Sequence, residues 1–384
     1  MIERQARRHQ SKISLAEPAR SIAMGGLMYP IRFTTLLLTT VLSAPALAAS
    51  YTIIDVAGAG TGVGQGTWAA YVDSASNASG GYVDSSGNEH AFYRAADGTI
   101  TTFDVDGATS LTYATGMNDK GTIAGTYLDS HSGIEQGFLR TVGGKITTFD
   151  ASGGSPYGTG IVSVNDKSIA AGYFTDSSEV THAFLRTKAG AITSFDEPHA
   201  GTTAGQGTLA FSINDAGTIV GDYADSGNVY HGFARAADGT FIEIDAPCAG
   251  TGSDQGTFAY LANAKGSIVG TVRDGSLVYH GFVRSPGGTI TCFDPPDAGT
   301  GTFQGTIAEW INQHGEVSGS YVDASYVFHG FLRTKKGKIT EFDAPGAGSG
   351  PGYGTSTYSN NKKGIAAGQL QDDSGVLHGY LRTP

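Results

Sequence analysis

Basic residues are scarce in this chain: 24 Lys and Arg stand against 35 Asp and Glu in 384 residues. Residues 1–48 hold six of the basic and two of the acidic groups, so the remainder carries 18 against 33 and a formal charge of −15. Such a surface repels phosphate backbones, which excludes nucleic acid and anionic membrane as partners. Cysteine is nearly missing, with two residues. A chain of this length buries about three quarters of its unfolded surface, so it needs neither a disulfide framework nor a structural metal. Beyond residue 48 no stretch keeps a helical period, which leaves an all-β reading. A complete catalytic motif is lacking too, and no cofactor is implied.

Repetition is what the chain has in plenty. The segment written His329-Gly330-Phe331-Leu332-Arg333 recurs seven times, starting at His90, Gln136, His182, His231, His280, His329 and His378. Its steps are 46, 46, 49, 49, 49 and 49 residues, and a fixed period of this length signals a repeat architecture. A Phe-Asp-type segment also recurs seven times, with its aspartate at Asp55, Asp104, Asp150, Asp196, Asp245, Asp294 and Asp343. Four short strands fit one period, in the fourth repeat Thr208 to Ile213, Thr218 to Tyr223, Tyr230 to Arg235 and Thr240 to Asp245. Turn chemistry separates them, including Asn214-Asp215-Ala216-Gly217 and Ala236-Ala237-Asp238-Gly239. Four strands in such a period match one propeller blade.

The repeats are out of phase with the chain ends. The array opens on a lone Phe-Asp-type strand, residues 51–56, and its last repeat lacks that strand. A ring lets the first strand complete the last blade, where an open solenoid would leave two raw edges. The expected fold is a seven-bladed β-propeller over 49–384, of four-stranded antiparallel blades, closed by strand 51–56.

Residues 1–48 stand outside the array. Arg32 precedes an apolar run from Phe33 to Leu42 and then Ala46-Leu47-Ala48, a small-residue site of the kind signal peptidase cuts. The run is short for a membrane span. We therefore expect a cleaved signal with an extended leading region and a secreted or periplasmic product starting near Ala49. Cys248 and Cys292 fall on neighbouring repeats. Export makes a bond chemically possible, but outer strands of adjacent blades diverge, which argues against one.

The His90-Ala91-Phe92 and His182-Ala183-Phe184 triplets, the Asn-Asp-x-Gly turn at 214–217 and Phe342-Asp343-Ala344-Pro345 resemble the bacterial extracellular HAF repeat. The resemblance covers the whole array. It implies an exported bacterial protein and assigns no activity. Many relatives carry sorting or anchoring tails; none follows Leu381-Arg382-Thr383-Pro384, which favours a soluble monomer.

Several polar positions are filled alike in every repeat: the Phe-Asp aspartate, the strand-ending arginine, a threonine from Thr67 to Thr355 and an aspartate from Asp84 to Asp372. A group needed once per blade builds the blade, whereas a catalytic site needs one constellation. Gln136 replaces one histidine without disturbing its repeat. The arginines read as turn-bracing. His199, Cys248 and Asp297 share one loop position in three successive repeats, yet a rigid ring keeps them apart, so no metal site is expected.

Function is sought where repeats differ on a shared face. The long connections end at Gln65, Ser110, Tyr157, Gln206, Gln255, Gln304 and Tyr353, at one mouth of the channel. These, with Trp310, form the expected ligand-binding set, on a loop-rich face suited to a glycan or an envelope protein. Glu309 is an acidic residue within an inner strand and the weak catalytic candidate, for which the alternative is a polysaccharide lyase or hydrolase in the central funnel. A purely structural envelope role is the third reading.

Overall fold

The computed structural model describes residues 49–384. The signal segment expected at 1–48 lies outside the described residues. Within them, 28 strands follow one another from β1 (Ser50–Ile54) to β28 (Leu377–Thr383), with no helix. Each blade is an antiparallel meander. In the fourth, β14 (Gly207–Ile213) lies at the axis, followed outward by β15 (Ile219–Ala224), β16 (Tyr230–Arg235) and β17 (Phe241–Ile244).

At six of the seven junctions a single parallel bridge hands one blade on to the next, as where Thr181 meets Gly207. Gly207 has φ 114°, and a Cβ there would stand 2.0 Å from the Thr181 carbonyl oxygen, so only glycine permits the approach. Gly221 serves a second close passage: its Cβ would lie 1.9 Å from the Leu209 carbonyl oxygen. These two constraints account for glycines at fixed places in the period.

The seventh blade takes β26 (Gly354–Asn360), β27 (Ala366–Gln371) and β28 from the far end of the chain and its rim strand from the beginning. Ser50 pairs with Thr383 and Ile54 with Gly379 in antiparallel register. Leu377 bridges Gly66 at the start of β2 (Gly66–Val72), the inner strand of the first blade. His378 Nδ1 then meets Asp55 Oδ1 at 2.8 Å, the same contact that other blades make internally. The molecule is a closed seven-bladed β-propeller, as the phase offset of the repeats predicts.

Adhesion between blades repeats as faithfully as the blades. One aromatic ring per third strand is fully buried: Phe92, Phe138, Phe184, Phe233, Phe282, Phe331 and Tyr380. Each such ring is worth about 1.5–3 kcal/mol in burial alone. Phe138 meets the rim-strand Phe103 of the preceding blade edge-on at 6.1 Å, and Phe331 meets Phe293 likewise at 5.9 Å. Five of the seven repeated arginines lie over rim rings, among them Arg140 on Phe103 at 4.5 Å and Arg333 on Phe293 at 4.6 Å. They are cation–π clamps between blades as well as turn braces, since Arg140 also donates to the Thr141 carbonyl at 3.4 Å and Arg186 to the Thr187 carbonyl at 3.4 Å.

The repeated polar set ties strand ends together. Thr208 Oγ1 accepts the Glu197 amide at 3.0 Å, and Thr257 Oγ1 accepts the Ala246 amide at 3.0 Å. His90 stands between Asp104 at 2.9 Å and Asp84 at 3.3 Å, with its ring stacked on Tyr82. In the second blade Gln136 takes over, accepting the Tyr127 hydroxyl at 2.9 Å.

Cys248 and Cys292 are bonded, against the expectation from diverging rim strands. The strands do diverge, but Cys248 sits in the connection leaving the fourth blade, and that connection folds over β21 (Ile290–Phe293) of the fifth. The neighbouring loop positions act alike without converging on one another. His199 approaches Glu243 on β17, and the Asp297 amide donates to Glu341 Oε1 at 3.1 Å.

Candidate functional site

Every inner strand carries a register shift at the same place, between Ala69 and Tyr71 in the first blade and between Ala308 and Trp310 in the sixth. A bulge of this kind re-aims side chains. Here it fills the channel. Tyr71 spans the axis, its hydroxyl donating to the Thr115 carbonyl of the second blade and its ring 5.8 Å from Trp310 of the sixth. Tyr260 packs against Phe211 at 5.6 Å.

Two carboxylates and a guanidinium accompany these rings. Burial, then Asp222, push the Tyr260 phenol upward; Arg273 opposes them and Glu309 adds to the rise. Asp222 on β15 is 2 % exposed, and burial drives its carboxyl well above the usual carboxylate range despite Arg273. Asp222 and Glu309 both act on the Tyr260 phenol. Sequence reasoning found Glu309 and missed Asp222. The equivalent second-strand position holds Thr126, Thr271 and Ser320 in other blades, so a polar residue there carries no special signal.

The glutamines expected to face a ligand are occupied. Gln65 Oε1 accepts the Gly62 amide at 2.9 Å while Nε2 donates to the Ser85 carbonyl at 3.2 Å. Gln255 and Gln304 repeat this, with Gly252 and Gly275, and with Gly301 and Ala324. Gln206 holds Thr203 and Asn228, and Gln206 and Gln304 are buried rather than exposed. Their amides brace each connection against the adjacent turn. Tyr157 is half exposed and donates to Glu179 Oε1 at 2.8 Å, while Tyr353 is half-buried near Gly375. Trp310 does not join them, because it sits near the far end of its strand and lines the opposite mouth.

That opposite mouth, where short turns are expected to close the face, holds a depression of about 160 Å³. Its wall is a ring of asparagines. Asn118 Nδ2 donates to the Asn165 carbonyl at 2.8 Å, Asn165 to Asn214 at 3.0 Å, and so on through Asn263 and Asn312 to Asn361, which donates to the Asp73 carbonyl at 2.9 Å. Asp73 breaks the ring, since a carboxylate has no proton to give Asn118. At the next residue the side chain comes from the following blade instead: the Asp166 amide donates to Asp215 Oδ1 at 2.8 Å, and the Ser74 amide to Asp119 Oδ1 at 2.9 Å. This two-way exchange explains the Asn-Asp dipeptide. It leaves an acidic arc of Asp119, Asp166 and Asp215 facing Gln313 and Lys362, over a floor that includes Trp310, Leu261 and Val72. Burial, reinforced by Asp215 and Asp119, raises the Asp166 carboxyl.

Solved structures with this architecture include streptogramin B lyase, with 13 % identity over 88 % of this chain and 98 % of that one at a TM-score of 0.54. A catalytically inactive virginiamycin B lyase from Staphylococcus aureus, solved with quinupristin, aligns over 87 % of this chain and 100 % of its own at 13 % identity and a TM-score of 0.50. At such identity the likeness is one of fold, that of the β-propeller. No family model matches the chain, and no curated protein matches it either.

Proposed function

We propose that this propeller is a binding module whose site is the axial depression on the asparagine-turn face, taking a sugar-bearing ligand of the cell envelope. The observation that carries this reading is the departure from sevenfold repetition around the axis. Trp310 offers a flat ring, and Asp119, Asp166, Asp215, Gln313 and Lys362 offer hydroxyl-binding groups on one rim. Binding of the purified protein to immobilised envelope glycans tests it. Substituting Gln313 and Lys362 together by alanine weakens binding at least several-fold while the protein stays folded, since both lie at the exposed rim and Gln313 gives up only its contact with the Ala264 amide. Undiminished binding by that variant moves the site elsewhere.

A second reading rests on Asp222. A buried carboxyl with a raised pKa, the Tyr260 phenol and Glu309 acting on one another suit proton transfer to and from a polysaccharide, as in a lyase or hydrolase. New reducing ends, or an unsaturated product, released by the parent protein and not by Glu309→Gln would favour catalysis over binding.

Export belongs to the same proposal, with residues 1–48 removed as a signal. The Cys248–Cys292 bond supports an oxidising compartment. Amino-terminal sequencing of the secreted or periplasmic protein is expected to start near Ala49, and retention of Met1 or Met28 would refute cleavage.

A further inference from the structure

We propose that Glu197, His199 and Glu243 form a binding site for one divalent transition-metal ion of the zinc class, at the rim between the third and fourth blades. Their ligand atoms all lie within 4.8 Å of one another. His199 Nδ1 stands 3.4 Å from Glu197 Oε1 and 3.7 Å from Glu243 Oε2. The repeated histidines each make one short carboxylate contact and one longer one, as His280 does with Asp294 at 2.8 Å and Asp274 at 3.5 Å, whereas both His199 contacts are of the longer kind. The His199 separations are long for a hydrogen bond. The 3.4 Å separation matches the edge of a tetrahedron of nitrogen and oxygen ligands around zinc, about 3.3–3.6 Å for bonds of about 2.0–2.2 Å, and the 3.7 Å separation is slightly longer than that edge.

The carboxylates are placed in a way that a blade alone does not require. Glu197 is 4 % exposed at a position that other blades fill with Val56, Val105, Ala246 or Pro295. Burying a charge there is costly unless a cation meets it. Its outer oxygen is fixed by the His199 amide at 2.6 Å, which leaves Oε1 turned to the imidazole. Glu243 Oε2 is fixed by the Tyr223 hydroxyl at 2.6 Å, the outer-shell support that metal-bound carboxylates use. Asp245, itself paired with His231 at 2.9 Å, adds negative charge beside Glu243. His199 is 73 % exposed, so an ion can enter from solvent and keep a water as its fourth ligand.

The position gives the ion a role. His199 and Glu243 stand where Cys248 and Cys292 stand one blade further on. An ion there would fasten a connection to the neighbouring rim strand as the disulfide does.

Titration calorimetry of the chelator-treated full chain with zinc is expected to show one saturable site, and magnesium to show none. Cobalt at that site should give the visible absorption of a four-coordinate ion. His199→Ala and Glu243→Gln each weaken zinc binding at least about tenfold, whereas His329→Gln, in a repeated pair, leaves it unchanged. His199 is exposed, so its replacement folds, and zinc raises the melting temperature of the parent but not of this variant. Absence of a saturable zinc site, or full zinc affinity in His199→Ala, overturns the proposal.

Discussion

Single residues in this molecule work as repeated sets, and the histidine–aspartate pairs of the fifth and sixth blades give it a pH response. The hydrogen bond to Asp294, then its charge, raises the pKa of His280 against the opposing effect of burial; Asp343 does the same for His329. A raised folded-state value means stability that is complete below about pH 6.5 and is lost as pH climbs through the folded value. Replacing both histidines by glutamine, the residue the second blade already uses, is expected to cost about 0.5–1 kcal/mol per blade near pH 5.5, the half-exposed carboxylates screening the rest. The cost should shrink towards pH 8. Melting curves across that range test it, and an offset that does not change with pH would show that charge plays no part. The roles of such repeated residues were legible, because identity at seven places points to construction. The site was less so: Gln65 and Gln304 look like free amides in a sequence, and only the fold reveals the glycine amides that occupy them.

At the scale of strands and turns, the period, the four-strand blade and the closing strand could all be read from spacing. The inner-strand bulges could not, because an extra residue opposite a partner leaves the repeat length unchanged. Trp310 belongs to the other mouth because its inner strand runs from Gln304 at one mouth to Asn312 at the other. The disulfide was hidden for a related reason, since strand direction says nothing of where a connection folds back. It closes a loop of 44 residues, so reduction is expected to lower stability by about 2–4 kcal/mol. Unfolding with and without reductant measures this, and identical midpoints would mean the bond is idle. The asparagine ring supplies a converse test. Asp73→Asn gives Asn118 its missing donor and is expected to stabilise by up to about 1 kcal/mol, while Asn263→Ala, which strips donors and acceptors from a buried turn, costs about 1–3 kcal/mol. Equal melting temperatures for the two variants would exclude the ring as a source of stability.

For the molecule as a whole, closure is the property to challenge. Deleting residues 50–54 removes the five-pair ladder with β28 and uncovers Tyr380 and the first-blade core around Ile54. That deletion is expected to depress the melting temperature far more than removal of residues 1–48, and equal curves would contradict a closed ring.

The meeting of β1 with β28 also sets a timetable. Asp55 and His378 are 323 residues apart in the chain, yet they share one hydrogen bond. Six blades can assemble from neighbours as the polypeptide emerges, whereas the seventh must wait for the final strand. Until then β1 is an unpaired ribbon with an open edge, exposed for the whole interval of synthesis or transport. A chain interrupted anywhere before β28 never reaches the end of that interval. The same seam that gives the finished ring its continuity therefore acts as a check on full length: only an intact polypeptide can hide its own first strand.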